Sequence, residues 1–585
     1  MATRTALTAV LNEKPITAKS GPTRENDMSE RDKTHPYLKS LYAQLESRRI
    51  GRRDFLRTAT LLGMSAGAAY SIAGISPGLI SSALAQTPRK GGTLRIAARL
   101  GDIKDPHTYS WGQGAFIRQS LEYLTLTGID NVTRPLLLEK WEASPDLKTW
   151  TLRIRRDAKW HSGRPLIADD VIWNLKRALD PKTGSATVGL MAGYLLERYD
   201  TGEVDDKGKA KFSRRLWDAN AIEKVDDYTV RLNAKVPNLA VPEHLFHHQL
   251  FMLDPADGGE FKVGANFTGS YQLVSYEQGK RAVMQARPSY WGGAPHVQTL
   301  EFLDLGDNAS AAMAALAAGQ IDAWPAVDNS SLDAVKTLKD VNVYEAQTAN
   351  TGAVRVRPEA KPFDDPRVRK AMRLAIDCKS VLDLGIAGLG SVGEHHLVSK
   401  SHPDYGPIPA LQYDPGAAKK LLAEAGYPNG IDSEVYLKSA PAWESQVVQS
   451  MVEQWREAGI RIKMNPVPST QYWEVWKKVP VGFTDWNHRP LGIMLLGLCF
   501  RTGASWNESG YSNPQFDRLL IEAEGKLDIN ERKAAMGKLQ TILLEDGPII
   551  QPVFRSIFSA YHKRVKNFTM HPTNYYWYKD VWLET

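Results

Sequence analysis

The stretch VGFTDWNHRPLG, Val481 to Gly492, sets the indole of Trp486 beside Asp485, Asn487, His488 and Arg489. An aromatic plate among four polar or charged side chains makes a poor core segment, because every buried polar group needs a partner. It makes a well-equipped binding loop. An indole face stacks on planar or sugar-like surfaces. A guanidinium grips a carboxylate or phosphate through two parallel N–H bonds. The competing reading buries Trp486 in a core and pairs Arg489 with Asp485.

Other reactive residue types carry less. His161-Ser162 and the His488 loop invite a hydrolase. The body from residue 86 onward, however, has no Gly-x-Ser-x-Gly nucleophile turn and no His-Glu-x-x-His zinc motif. A Walker phosphate loop is also absent, so no enzyme is expected and any ATP would be hydrolysed by a partner. His244, His247 and His248 can share a helix face, and His395, His396 and His402 form a second group. Neither has the spacing of a closed metal site, so no metal or cofactor is expected. Cys378 and Cys499 read as buried free thiols, with a single disulfide as the alternative in an exported chain.

A chain of 585 residues exceeds one ordinary core and predicts two or three lobes. The pI near 9.0 suggests a polyanion partner. The charge distribution argues against one. Residues 1–85 hold 12 Lys and Arg against 7 Asp and Glu, leaving 61 against 59 for the rest. The body is nearly neutral, and no nucleic-acid partner is expected.

From Gly51 to Gln86 the chain reads GRRDFLRTATLLGMSAGAAYSIAGISPGLISSALAQ. Arg52 and Arg53 precede Phe55 and Leu56, a weakly apolar run follows, and Ala83-Leu84-Ala85 offers small residues for cleavage. The segment resembles a twin-arginine export signal, which implies a bacterial periplasm. A transmembrane anchor is the alternative, opposed by the Gly and Ser content and by Pro77. Residues 1–85 are therefore expected to be an extension and leader removed near Ala85, outside the folded body, and the residues before Gly51 to be disordered. Met28 offers an alternative start.

Strand and helix patterns interleave through the body. GGTLRIAAR alternates as a strand; GAFIRQSLEYLTLTG has helical spacing up to Gly128. DDPRVRKAMRLAIDCKSVLDLGI reads as one long amphipathic helix. DPGAAKKLLAEAGYPNG is a helix capped at Asp414 with Pro415 at its first position. The class is mixed α/β.

The order of segments, including WEASPDLKTWTLRIRRDAKWHSGRPLIADDV, GSYQLVSYEQG, SYWGGAPHVQTLEF, ALAAGQIDA, KPFDDPRVRKAMRLAID and YSNPQFDRLL, resembles the extracellular solute-binding proteins of family 5. These are the peptide, opine and nickel receptors of ABC importers. The likeness spans Gly91 to Trp582. It implies a two-lobed periplasmic-binding-protein fold of the cluster C type, joined by hinge strands. Residues 86–348 would form lobe I, with an inserted subdomain near 134–215. Residues 349–547 would form lobe II, and 548–585 would return to lobe I.

The resemblance also implies a ligand site. In dipeptide and oligopeptide receptors the loop matching GFTDWNHRP carries an aspartate for the peptide α-ammonium. Trp486 best matches that position here, with Asp485 before it and Arg489 at the usual acidic site before Pro490. An arginine that takes the peptide carboxylate in dipeptide receptors has Trp443 in its vicinity here and no arginine. Both anchors of a dipeptide receptor are missing in this register. Trp486 and Trp443 would serve as stacking faces, with Asn487 and Arg489 as polar contacts. Tyr109 and Trp111 in HTYSWGQG would form the facing wall, and Arg501 and Trp506 would lie beyond the loop. The expected ligand is a peptide, peptide-like or opine-like solute. A glycoside or other anionic solute is the alternative, and a periplasmic peptide chaperone a more distant one. The expected partners are an ABC permease and ATPase in the inner membrane and the twin-arginine export machinery, and the expected state is a soluble monomer.

Overall fold

A computed structural model describes residues 35–75, 87–109, 114–204, 208, 210–306 and 308–584. A single large sheet runs through the molecule. Its strands are β1 (Thr93–Ala97), β2 (Tyr271–Glu277), β3 (Arg281–Ala286), β4 (Thr299–Leu303), β5 (Ala323–Val327), β6 (Val341–Val356), β7 (Ile431–Lys438), β8 (Ile460–Val467), β9 (Val481–Trp486) and β10 (Ile549–His562). They lie in the order β2-β3-β4-β1-β5-β10-β6-β9-β7-β8, and a short strand, Gly390–Val392, pairs beside β10.

The two longest strands join the lobes. β6 and β10 pair antiparallel from Val341↔His562 to Arg355↔Ile549, so each passes from one half of the molecule into the other. One core, with Leu94, Phe302 and Tyr561, fills the β1 half; another, with Val354, Val435 and Trp455, fills the β7 half. A third cluster closes one lobe on the other. It joins Trp150 and Leu190 to Leu495, Leu498 and Phe516. At its centre α4 (Thr187–Leu195) meets α6 (Gly492–Cys499), which is buried at every position. Helices apolar all round are stable only when covered on every side.

Several elements differ from the patterns in the sequence. The helical spacing after Gly114 yields a single turn, Gly114–Ile117. Tertiary pairing overrides it: Tyr271 N–H donates to the Gln119 carbonyl and Gly269 N–H to that of Ser120. The long helix beginning at Asp364 is two, Pro366–Leu374 and Cys378–Ile386, because the Asp377 side chain accepts from Lys379 N–H and starts a new one. Asp414 caps its helix as expected, accepting from Ala417 N–H at 2.7 Å. Both cysteines are free thiols, Cys499 buried and Cys378 partly so.

The segment before the body also departs from expectation. Within residues 35–75 three helices, α1 (Tyr37–Glu46), α2 (Arg52–Leu61) and α3 (Ala66–Ala73), pack on the molecule. The cause is the amphipathic α2, which buries Phe55, Leu56 and Ala59 with Val132 and Ile529 and leaves Arg52 and Arg53 exposed. The segment touches both halves. Trp141 Nε1–H donates to the Leu61 carbonyl at 2.8 Å, and Gln44 Nε2–H to Asp528 at 3.1 Å. The proposed cleavage site, Ala83 to Ala85, lies outside the described residues. Among the described residues no helix is long and apolar enough to cross a membrane.

Candidate functional site

Where β5, β6, β9 and β10 meet at the junction of the lobes, a cavity of about 210 Å³ opens. Its walls include Asp328, Asn350, Trp443, Asp485, Asn487 and Arg555. β9 explains which residues of the Val481–Gly492 stretch reach it. Successive strand residues point to opposite faces. Asp485 turns toward the cavity, and Trp486 turns away into the core, 4% exposed.

Trp486 is held there by Glu508, whose Oε1 accepts from the indole Nε1–H at 3.1 Å. The Thr484 hydroxyl donates to the same carboxylate at 2.6 Å, and Arg355 pairs with it at 3.4 Å. The ring also meets Trp506 edge-on at 6.0 Å. This is a core environment, so the competing reading of Trp486 describes its position.

Behind the cavity wall, Asp485 belongs to a compact charge cluster. Lys438 ends β7 and places its ammonium 2.6 Å from Asp485 and 2.8 Å from Glu444. One cation faces two carboxylates in a dry setting, and the two acids divide accordingly. Burial alone would raise Asp485, but Lys438 outweighs it and holds the group below the usual carboxylate range. Burial and the adjacent Asp485 charge push Glu444 up to about 8, beyond what Lys438 offsets. Lys438, though buried, is held above its ordinary value by the two acids.

Trp443 begins α5 (Ala442–Glu457) and forms the neighbouring wall. The Arg555 guanidinium lies 4.6 Å above its ring. Gly352 makes room for this: a Cβ there would lie 2.8 Å from the Trp443 ring and 2.3 Å from Phe483. Among the described residues, three buried polar atoms on these walls have no hydrogen-bond partner: Trp443 Nε1, Arg555 Nε and Asn350 Oδ1. Two donors and an acceptor left unpaired around one cavity mark it as a place for a polar guest.

Of the remaining candidates, only Asn487 reaches the cavity among the described residues. Asn487 lines the cavity and accepts from Asn350 Nδ2–H at 2.9 Å. Arg489 is buried and donates to the carbonyls of Asn487 and His488, while the cation paired with Asp485 is Lys438. Arg501 forms a buried ion pair with Glu524 at 2.5 Å. Trp506 packs against His247 and His248 across the lobe boundary. The Tyr109 ring points into the lobe I core, its hydroxyl donating to the Ile103 carbonyl, so it does not form the facing wall. Trp111 lies outside the described residues. His244 meets the Tyr194 hydroxyl at 3.0 Å, and His395 lies 3.4 Å from Cys378 Sγ. Lys438, Glu444 and Arg555 escaped the sequence reading. No signal pointed to Lys438, which shares the alternating register of the exposed Asp432 and Glu434 and is buried only because Asp485 and Glu444 cover it.

The family model for bacterial extracellular solute-binding proteins, family 5 (middle region), matches residues 132–492. The chain belongs to this family. Heme-binding protein A of Haemophilus influenzae is 26% identical over 471 residues, spanning 75% of this chain and 82% of that protein. The dipeptide-binding protein of Escherichia coli is 26% identical over 483 residues, spanning 77% and 86%. Among solved structures, the periplasmic binding protein DppA from Helicobacter pylori, in complex with the peptide STSA, has a TM-score of 0.72 at 19% identity. It covers 85% of this chain and 99% of its own. AgaA from A. tumefaciens R10, in complex with agropinic acid, also reaches 0.72 at 19% identity, covering 84% and 99%. These neighbours share the two-lobed fold.

In this family 5 protein Asp485, on the cavity wall, is already paired from behind with an ammonium, Lys438. A pH signature follows. Glu444 titrates at about 8 in the folded chain against 4.5 ordinarily, so its proton is retained on folding between those values. Its contribution is full below about pH 4.5 and is lost as pH rises through 8, with a slope of up to about 1.4 kcal/mol per pH unit. Urea unfolding at half-unit pH steps should show this decline, and Glu444→Gln should flatten it. An equal slope in both proteins would remove Glu444 as its source.

Proposed function

We infer that the protein captures a peptide, peptide-like or opine-like solute in the cavity between its lobes and delivers the closed form to an ABC permease and its ATPase. The observation that carries this is the set of unpaired polar atoms, Trp443 Nε1, Arg555 Nε and Asn350 Oδ1, around one cavity at the strands that join the lobes. A solute there would bridge both lobes and favour closure. Asp485, Asn487 and Trp443 are its first contacts, with Asn350 and Arg555 added. The reading is supported by relatives whose names state periplasmic oligopeptide and dipeptide binding.

Residues 1–85 act as an extension and twin-arginine leader removed near Ala85. The mature chain works as a periplasmic monomer without covalent chemistry.

Native mass spectrometry of residues 86–585 from the periplasm tests this reading. A bound peptide or peptide-like mass, released on mild denaturation, is the expected result. A bound sugar, or a bound metal ion without organic carrier, would overturn the ligand class.

A further inference from the structure

Next to the cavity, one residue further along each chain segment, lies a second polar centre. Asn574 and His488 line the cavity, and their neighbours Tyr575 and Arg489 point into the lobe boundary. Arg118, from the turn after Gly114–Ile117, lies flat against Tyr575 with its guanidinium carbon 3.8 Å from the ring centre. It is 2% exposed, and Nε and both terminal nitrogens lack any hydrogen-bond partner among the described residues. Tyr123, beside it, is fully buried; among the described residues its hydroxyl makes no well-formed hydrogen bond, and Arg118 is the one charged group acting on it.

A guanidinium brings five N–H donors into the interior, and a tyrosine face offsets only part of its desolvation. Among the described residues, the groups against it do not supply an anion. His248 is kept neutral by burial, then by Arg489 and Arg118. Tyr575 feels the same two arginines and keeps its proton because of burial. A buried cation without an anion is retained where a ligand provides one.

We propose that Arg118 is an anion-binding residue of the solute site, assisted by the Tyr123 hydroxyl and adjacent to Arg489, and that it selects solutes bearing a carboxylate beyond any balanced by an ammonium. This rests on reading the lobe junction as the solute site. It narrows the ligand to acidic peptides and peptide-like acids. Lys438 already occupies Asp485, so the cavity has little use for a ligand ammonium, and the arginine centre accounts for the opposite end of the ligand.

The test uses the full chain, stripped of bound solute by unfolding and refolding, with Arg118→Met and Arg118→Lys. Calorimetric titration compares the peptide Glu-Gly-Glu with its fully amidated form at fixed ionic strength, and thermal shifts are read with citrate. The acid peptide should bind the wild type at least tenfold tighter than the amide. Arg118→Met should abolish that preference and the citrate shift, while melting, when stripped, at or above the wild type. Arg118→Lys should retain part of the preference. A stripped Arg118→Met protein melting well below the wild type would make Arg118 a structural cation and overturn the proposal. Equal binding of acid and amide would overturn it while leaving peptide capture standing. A citrate shift that depends on Arg118, with neither peptide bound, would support the anion site and overturn the peptide class. No response of the wild type to any of the three would overturn the anion site.

Discussion

Trp486→Ala should lower the stability of the solute-free protein by about 3–5 kcal/mol, the usual cost of emptying a buried tryptophan site. The ring is 4% exposed and packs against Trp506, so its removal leaves a void between the lobes. It also removes the indole donor from Glu508, a carboxylate already buried with Arg355 and Thr484. Denaturant unfolding of stripped protein reads the loss directly. Solute affinity should change less than for Trp443→Ala, whose ring lines the cavity. An unchanged unfolding curve with tenfold weaker solute binding would return Trp486 to the ligand site.

Lys438→Met should be of similar size and should steepen the pH dependence below pH 7. The lysine side chain is 10% exposed and is the cation paired with Asp485 and Glu444. Truncating one member of a buried charge cluster leaves the others uncompensated, at about 3–5 kcal/mol. In the wild type, Asp485 has a depressed folded pKa. Its contribution is present above the ordinary value of 3.8 and is lost as pH falls through the lower folded value. Without Lys438 the sign reverses for Asp485, so on acidification from pH 7 the variant should regain stability more steeply than the wild type, in which Glu444 alone contributes over that range. Unfolding free energy against pH separates the two. The variant should also gain affinity for solutes with a free ammonium, since Asp485 would then be open to one. Unchanged stability at pH 7 would mean that water screens this cluster fully.

The local signals in the sequence were reliable where structure is decided locally. Asp414 and Pro415 start a helix because capping involves residues within one turn. They failed where distant chain segments compete. The helical spacing after Gly114 lost to strand-like pairing with Gly269 and Tyr271, and this places Arg118 at the lobe boundary. Within residues 35–75, α1 to α3 depend on contacts with Val132 and Ile529, far along the chain, which the residue pattern up to Ala85 does not contain.

By itself the sequence determined the mixed α/β class, the family, the near-neutral body and the loop that carries Asp485 and Asn487, because these depend on composition, element order and short-range spacing. Only the tertiary structure decided which face of that loop is chemical. Strand geometry requires Asp485 and Trp486 to point opposite ways, but what covers each face comes from far along the chain. Glu508 and Trp506 cover one, and Lys438, Glu444 and Arg555 furnish the other. An unpaired buried guanidinium such as Arg118 is likewise invisible in one dimension, because being without a partner is a property of the surroundings in space.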